Sequence, residues 1–199
     1  MSSEKFNIGA IEFDSTIYGP GKRTVIWFQG CTLGCKGCWN TQFQSHDPNK
    51  LYDRQDLLKL ILEKNSPVTF LGGEPLQQIE NLTWLVDNLA ERSIHIMLYT
   101  GYELDEIERD LRKSHVCNLV NILVPGRYME NQRDINLAWR GSKNQPVIIR
   151  DSSKKEDDKN QVEITLGHDG NITCLGYPSD GLRAFMETLD HHKTNDPQD

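Results

Sequence analysis

The sequence lacks any stretch of 18 or more apolar residues, so no membrane-spanning helix is expected. Its first residues, MSSEKFNIGAIEF, have no apolar signal region and no cleavage site, and a cytoplasmic location is the expectation. Positive charge is also short. There are 22 Lys and Arg against 29 Asp and Glu, a net charge of -7, and such a chain repels a phosphate backbone, so nucleic acid is not an expected partner. No repeat and no low-complexity tract interrupts the 199 residues, a length that suits one core. Cysteine is scarce and unevenly placed. Of the 5, Cys31, Cys35 and Cys38 share one loop, and no second C-x2-C pair follows. An odd, clustered set argues against a disulfide framework and for metal or redox chemistry in a reducing compartment.

What is present alternates in type. RTVIWFQG (Arg23–Gly30) is an apolar run rich in β-formers and predicts a strand. DRQDLLKLILEKN carries Leu57, Leu58, Ile61 and Leu62 on a helical face, with Asp53 as N-cap. PVTFLGG (Pro67–Gly73) predicts a second buried strand. Leu82, Leu85, Val86 and Leu89 follow at helical spacing. IHIMLYTG is a third strand, Leu104, Ile107 and Leu111 suit another helix, and NLVNILV (Asn118–Val124) is a fourth strand. Mixed loop then runs from Pro125 to Gln145, ahead of a strand PVIIR.

This order predicts an α/β fold with a parallel sheet and right-handed crossovers. Sites in such sheets form at the carboxyl ends of the strands. Residues 1–150 are expected to form the core. Residues 151–190 are expected to open with a charged linker, Asp151–Asn160, and to add a β-hairpin turning at Asp169-Gly170 and a helix capped by Asp180. Residues 191–199 are expected to form a disordered tail, with His191 and His192 in solvent. Cys117 and Cys174, isolated in apolar runs, read as packed core thiols.

Cys31, Cys35 and Cys38 make C-x3-C-x2-C directly after the first core strand. Structural zinc wants four ligands in a closed tetrahedron, and His46 would have to be the fourth. A [4Fe–4S] cluster also takes four thiolates as a rule, so three leave one iron open to a further ligand. Gly34 and Gly37 suit the tight turns that wrapping a cluster needs. Three unrelated buried thiols are the plain alternative. Further on, FLGGEPL (Phe70–Leu76) ends the second strand, with two glycines where a ligand can approach the backbone and Glu74 as an anionic acceptor.

Together, C-x3-C-x2-C after the first strand and GGEP after the second resemble the radical S-adenosylmethionine (SAM) superfamily. The resemblance implies a partial (β/α) barrel, one [4Fe–4S] cluster held by Cys31, Cys35 and Cys38, and SAM chelating the open iron. It implies Gly72, Gly73 and Glu74 on the methionyl amino group, and Gly37, Cys38 and Trp39 near the adenosine. Thr100 and Gly101, ending the third strand, are further candidates. GC-x3-C-x-GC-aromatic-N, YTGY and WRGSKNQ (Trp139–Gln145) resemble the activating proteins of anaerobic ribonucleoside-triphosphate reductases, over roughly residues 5–150. By that likeness the chain installs a radical on a glycine of a partner enzyme, with a flavodoxin or ferredoxin-type electron donor.

Departures stand beside the likeness. Gly37 occupies the place before the third cysteine where much of the superfamily has an aromatic residue. Pro125 stands before GRY (Gly126–Tyr128) where an acidic residue is expected, and Lys143 replaces a serine of an RGSSNQ-like segment. Arg140, Ser142 and Asn144 can either clamp a carboxylate or cap local backbone. Two rivals remain open: a radical SAM enzyme acting on a small molecule or peptide, as in the 7-carboxy-7-deazaguanine synthase type, and a non-catalytic iron–sulfur or zinc module.

Overall fold

The computed structural model describes residues 4–151, 161–167 and 172–193. It opens on a strand that no continuous apolar run announces. β1 (Lys5–Ser15) lies antiparallel to β2 (Arg23–Phe28), with register shifts between Ile8 and Ala10 and between Glu12 and Ser15. β3 (Lys50–Asp53) pairs on the outer edge of β1 and leads into α1 (Arg54–Lys64). Then come β4 (Val68–Gly72), α2 (Ile79–Glu91), β5 (Ile96–Tyr99), α3 (Leu104–Glu108), α4 (Leu111–Leu119) and β6 (Ile122–Val124). β7 (Ile148–Ile149) closes the sheet's far edge antiparallel to β6.

The seven strands run in the order β3-β1-β2-β4-β5-β6-β7. β2, β4, β5 and β6 pair in parallel, each with the next in sequence. Crossovers that always step the same way keep their helices on one face. That face is the main core. Ile26, Phe28, Phe70, Ile96 and Leu98 of the strands meet Leu57 and Ile61 of α1 and Leu82, Leu85, Val86 and Leu89 of α2, all fully buried. Each such side chain contributes about 1.5–3 kcal/mol relative to exposure. The other face carries Val25, Trp27, Leu71, Met97, Ile122 and Val124, covered by Ile17, Tyr18, Ala138 and Trp139.

β8 (Val162–Leu166) and β9 (Ile172–Gly176) form a separate antiparallel pair, and α5 (Asp180–Lys193) follows. Ser15 Oγ donates to Glu163 at 2.8 Å and Gly176 N donates to Tyr18 Oη at 3.0 Å, tying this pair to the core.

Several expectations change at element ends. Leu104 and Leu111 are exposed and only Ile107 is buried, because Asp110 accepts from Arg112 N and Lys113 N and starts a new helix there. The strand expected from Asn118 begins only at Ile122, since Asn118 and Leu119 finish α4. PVIIR shrinks to two residues. Asp53 precedes α1 but makes no side-chain cap bond. Ser179 Oγ, rather than Asp180, accepts from Leu182 N at the head of α5. Cys117 is buried as expected, its thiol pushed up to about 12 by burial, whereas Cys174 is only half-buried. The Asp169-Gly170 turn and the linker beyond Asp151 lie outside the described residues. His191, His192 and Lys193 continue α5, and residues 194–199 lie outside the description.

Candidate functional site

The carboxyl ends of β2, β4, β5 and β6 converge on one cavity of about 100 Å3. Its lining includes all three loop cysteines together with Gly72, Gly73, Glu74, Thr100, Gly101, Gly126 and Tyr128. The two motifs, about forty residues apart in sequence, therefore share a wall. Trp39 lies between this cavity and a neighbouring groove of about 480 Å3, which Gly37, Cys38, Thr41, Tyr128, Glu130 and Arg133 also line.

The cysteine loop is held by its neighbours' backbone. Gly30 N donates to Phe43 O at 2.8 Å and Cys31 N to Gln44 O at 3.0 Å. Gly34 and Gly37 have φ of +61 and +70, the left-handed turns expected of them. The thiols are free and half-buried. Burial pushes the Cys31 and Cys35 thiols above their usual range, opposed by the backbone N–H groups of Leu33 and Tyr128 respectively. Such donors favour a charged sulfur.

GGEP works differently from its sequence reading. A Cβ on Gly73 would stand 2.4 Å from Gly30 O and 2.6 Å from Phe43 O, and one on Gly72, at φ +110, would meet the Phe28 and Trp27 backbone. The glycines let the β4 turn pack against the cysteine loop's own backbone. Glu74 N donates to Gly30 O at 2.8 Å, fastening the two turns together. The Glu74 side chain is buried and accepts from Leu76 N (2.9 Å), Thr100 Oγ1 (2.8 Å) and Gly101 N (2.7 Å). Burial outweighs these donors and raises its carboxyl to about 7. Glu74 thus pins the β5 turn to the β4 turn, and the Thr100 hydroxyl is taken up by Glu74 and Tyr102 N.

Other candidates part company. His46 packs at Gly30 and lines a separate polar cavity with Asn7, Gln29 and Gln78, so it stands apart from the thiols. Arg140, Ser142 and Asn144 direct polar groups to nearby backbone: Arg140 Nη1 donates to Gln145 O, Ser142 Oγ accepts from Met129 N, and Asn144 Nδ2 donates to Arg127 O. Lys143 points outward onto Asp134 at 3.4 Å, so this departure leaves the inward contacts intact. Pro125 brings no acid, but Glu103 accepts from Arg127 N at 3.1 Å and Glu106 is forked by the Arg127 guanidinium. Sequence reasoning missed Gln77, which accepts from Thr32 N and donates to Thr32 Oγ1, and Tyr177, whose ring lies 5.8 Å from that of Trp39. Gln77 follows GGEPL at once. Tyr177 gave no comparable signal.

The donor set fits an iron–sulfur cube. Three free thiols line one cavity, and the backbone N–H groups of Leu33, in the cysteine loop, and Tyr128, after β6, favour charge on two of the sulfurs. Among the described residues, no three His, Cys, Asp or Glu side chains converge as ligands of a single ion would. Thiolates that bind different corners of a cube have no such need.

A family model described as "4Fe-4S single cluster domain" matches residues 17–148. The chain belongs to the 4Fe-4S single cluster domain family. The family match spans both motifs and every strand of the parallel core. Among curated relatives, the anaerobic ribonucleoside-triphosphate reductase-activating protein of Haemophilus influenzae is 32% identical over 141 residues, 66% of this chain and 90% of that protein. Proteins of the same name from Escherichia coli K12 (29% over 141 residues) and Enterobacteria phage T4 (30% over 139 residues, 85% of that protein) are similar to it as well. The crystal structure of QueE from Escherichia coli aligns over 61% of this chain and 71% of that chain, at 17% identity and a TM-score of 0.43. No helix among the described residues is long and apolar enough to cross a membrane.

Proposed function

We propose that the protein is a radical SAM activating enzyme that generates a glycyl radical on an anaerobic ribonucleoside-triphosphate reductase. The single observation that carries this reading is the shared cavity, where Cys31, Cys35 and Cys38 meet the GGEP turn at the ends of the parallel strands. Its family and its named relatives support the same activity.

Cys31, Cys35 and Cys38 hold the [4Fe–4S] cluster and leave one iron for SAM. When bound, cluster and SAM supply a radical able to take hydrogen from a glycine Cα. The chain's own residues position and shield. Gly72 and Gly73 let two backbone turns close on each other, and Glu74 offers its remaining acceptor capacity to the methionyl amino group. Thr100 and Gly101 are held by Glu74 and form the next wall. Trp39, with Gly37 and Cys38, borders the groove assigned to the adenosine part. Leu33, packed against Gly101, helps keep bulk water from the cavity.

The open sheet is part of a (β/α) barrel, with residues 1–150 as core and 151–190 as an appended hairpin and helix. A flavodoxin or ferredoxin supplies the electron. A reducing cytoplasm suits five free thiols.

The test is anaerobic. The cluster is reconstituted and reduced, SAM and the cognate reductase are added, and electron paramagnetic resonance (EPR) is recorded. A glycyl-radical doublet that disappears in Cys35→Ala is the expected result. SAM cleavage to 5′-deoxyadenosine without the doublet would move the substrate to another protein, a peptide or a small molecule.

A further inference from the structure

WRGSKNQ directs its polar groups to three neighbouring peptides. Gln145 Nε2 donates to Gly126 O at 2.8 Å, Asn144 Nδ2 to Arg127 O at 2.7 Å, and Ser142 Oγ accepts from Met129 N at 3.2 Å. Gln145 is itself fixed, since its Oε1 lies 3.2–3.3 Å from Gly141 N, Ser142 N and Ser142 Oγ. On the opposite side Arg127 N donates to Glu103 Oε1.

The middle peptide joins Arg127 to Tyr128. No described peptide is cis, and in a trans unit the carbonyl and the N–H point in opposite directions. Asn144 holds the carbonyl end. The N–H end belongs to Tyr128, which lines the same cavity as Cys35, and this N–H lowers the Cys35 thiol against the effect of burial. Holding one end of this rigid plane therefore aims the other. Asn144 Oδ1 is meanwhile buried without a partner, so the bond to Arg127 O is what compensates for burying this amide.

We infer that Asn144 and Gln145 are positioning residues for the cluster: by pinning the 126–128 backbone they aim the Tyr128 N–H at the Cys35 sulfur and so set the cluster's reduction potential. The inference rests on the reading that Cys35 is a cluster ligand. A donor on a ligand sulfur stabilises the more negative, reduced cluster, so hydrogen bonds to sulfur raise the potential. Arg127 acts in the same sense, its positive charge held near Cys35 by the fork to Glu106 and a bond to Gly101 O. A motif distant in sequence thereby controls an electron-transfer property through one peptide plane.

The experiment compares the reconstituted wild-type protein with Asn144→Ala and Asn144→Asp. Asn144→Asp keeps the side chain's size but replaces the donor to Arg127 O with a carboxylate, whose charge alone lowers the potential. Its midpoint is therefore read together with the exchangeable couplings, which a bare charge leaves in place. The readouts are iron content, the midpoint potential from a dithionite titration followed by EPR, and exchangeable-proton couplings of the reduced cluster by electron–nuclear double resonance in H2O and D2O. The expected result is a shift of the midpoint to more negative potential in both variants at wild-type iron content, with one exchangeable coupling weakened. Where Asn144→Ala loses iron, Asn144→Asp decides. Unchanged couplings in iron-replete Asn144→Asp, whether or not the midpoint moves, overturn the inference and leave the activating-enzyme reading standing. A wild-type protein that takes up no cluster overturns that reading instead.

Discussion

The two ends of the parallel strands use polar groups in opposite ways. At the amino end, Arg23 is fully buried and its guanidinium is consumed internally. It donates to Thr69 Oγ1 (2.7 Å), Val68 O (2.6 Å), Pro20 O (3.3 Å) and His95 Nδ1 (3.2 Å). His95 Nε2 lies 3.3 Å from Asp151. At the carboxyl end, three thiols instead border a cavity, and Glu74 keeps acceptor capacity beyond its three bonds. One end is finished as a fold and the other is left incomplete for a ligand. Stability should therefore respond to changes at the first end and chemistry to changes at the second.

The largest expected effect is at the open end. Cys35→Ala should remove cluster assembly, SAM cleavage and the glycyl-radical signal together, while the urea midpoint of the apoprotein stays within about 1 kcal/mol of wild type. Iron analysis, product chromatography and EPR check this. Retained cleavage would falsify the ligand assignment.

At the closed end, Arg23→Met should cost about 3 kcal/mol, because Val68 O and Thr69 Oγ1 lose a buried charged donor. Urea denaturation measures it. Variant protein that still folds should cleave SAM at the wild-type rate. A large loss of cleavage at unchanged stability would merge the two ends and break the comparison.

The same contrast has a pH form. Burial raises Glu74 to about 7, so between its ordinary 4.5 and that value the folded chain binds more protons than the unfolded one. Its contribution is full below 4.5 and is lost as pH rises through 7. His95 is lowered first by burial and then by Arg23's charge. Its contribution is present above 6.5 and is lost as pH falls through its folded value. Glu74→Gln should flatten the first slope and His95→Asn the second, each measured by urea midpoints from about pH 5 to about pH 8. Equal slopes in wild type and Glu74→Gln would show that the carboxyl is not held off its normal value.

How legible each end was in the sequence follows from the range of its contacts. The parallel strands were readable because burial on both faces demands unbroken apolar runs, as in VIWF and VTFLG. β1 was not, since its eleven residues are broken by bulges and by charge at Glu12 and Asp14. Asn118–Leu119 looked like strand because apolar residues straddle the end of α4 and the start of β6. The cysteines and GGEP were legible as motifs, but their grouping depended on topology. Two of Glu74's three partners lie 26 and 27 residues away, and no local pattern encodes them. WRGSKNQ was visible as a likeness, yet its partners at 126–129 appear only once the chain is folded.

The smallest effect tests where the incomplete end stops. Arg133 lies over the Trp39 ring at 5.5 Å and donates to Asp180 Oδ1 at 2.9 Å and to Pro178 O at 3.3 Å, joining the groove beside the cysteines to the head of α5. Asp180 is 84% exposed, so solvent screens the ion pair and its worth is about 0.5 kcal/mol. Stacking on Trp39 adds about the same. Arg133→Ala should thus lower stability by about 1 kcal/mol in urea and leave the iron content unchanged. If instead it costs several kcal/mol, the hairpin and α5 are a structural lid that the core needs. A loss near that small figure, with weaker binding of SAM by the reconstituted protein, would make Arg133 part of the adenosine wall and extend the ligand-facing end as far as α5.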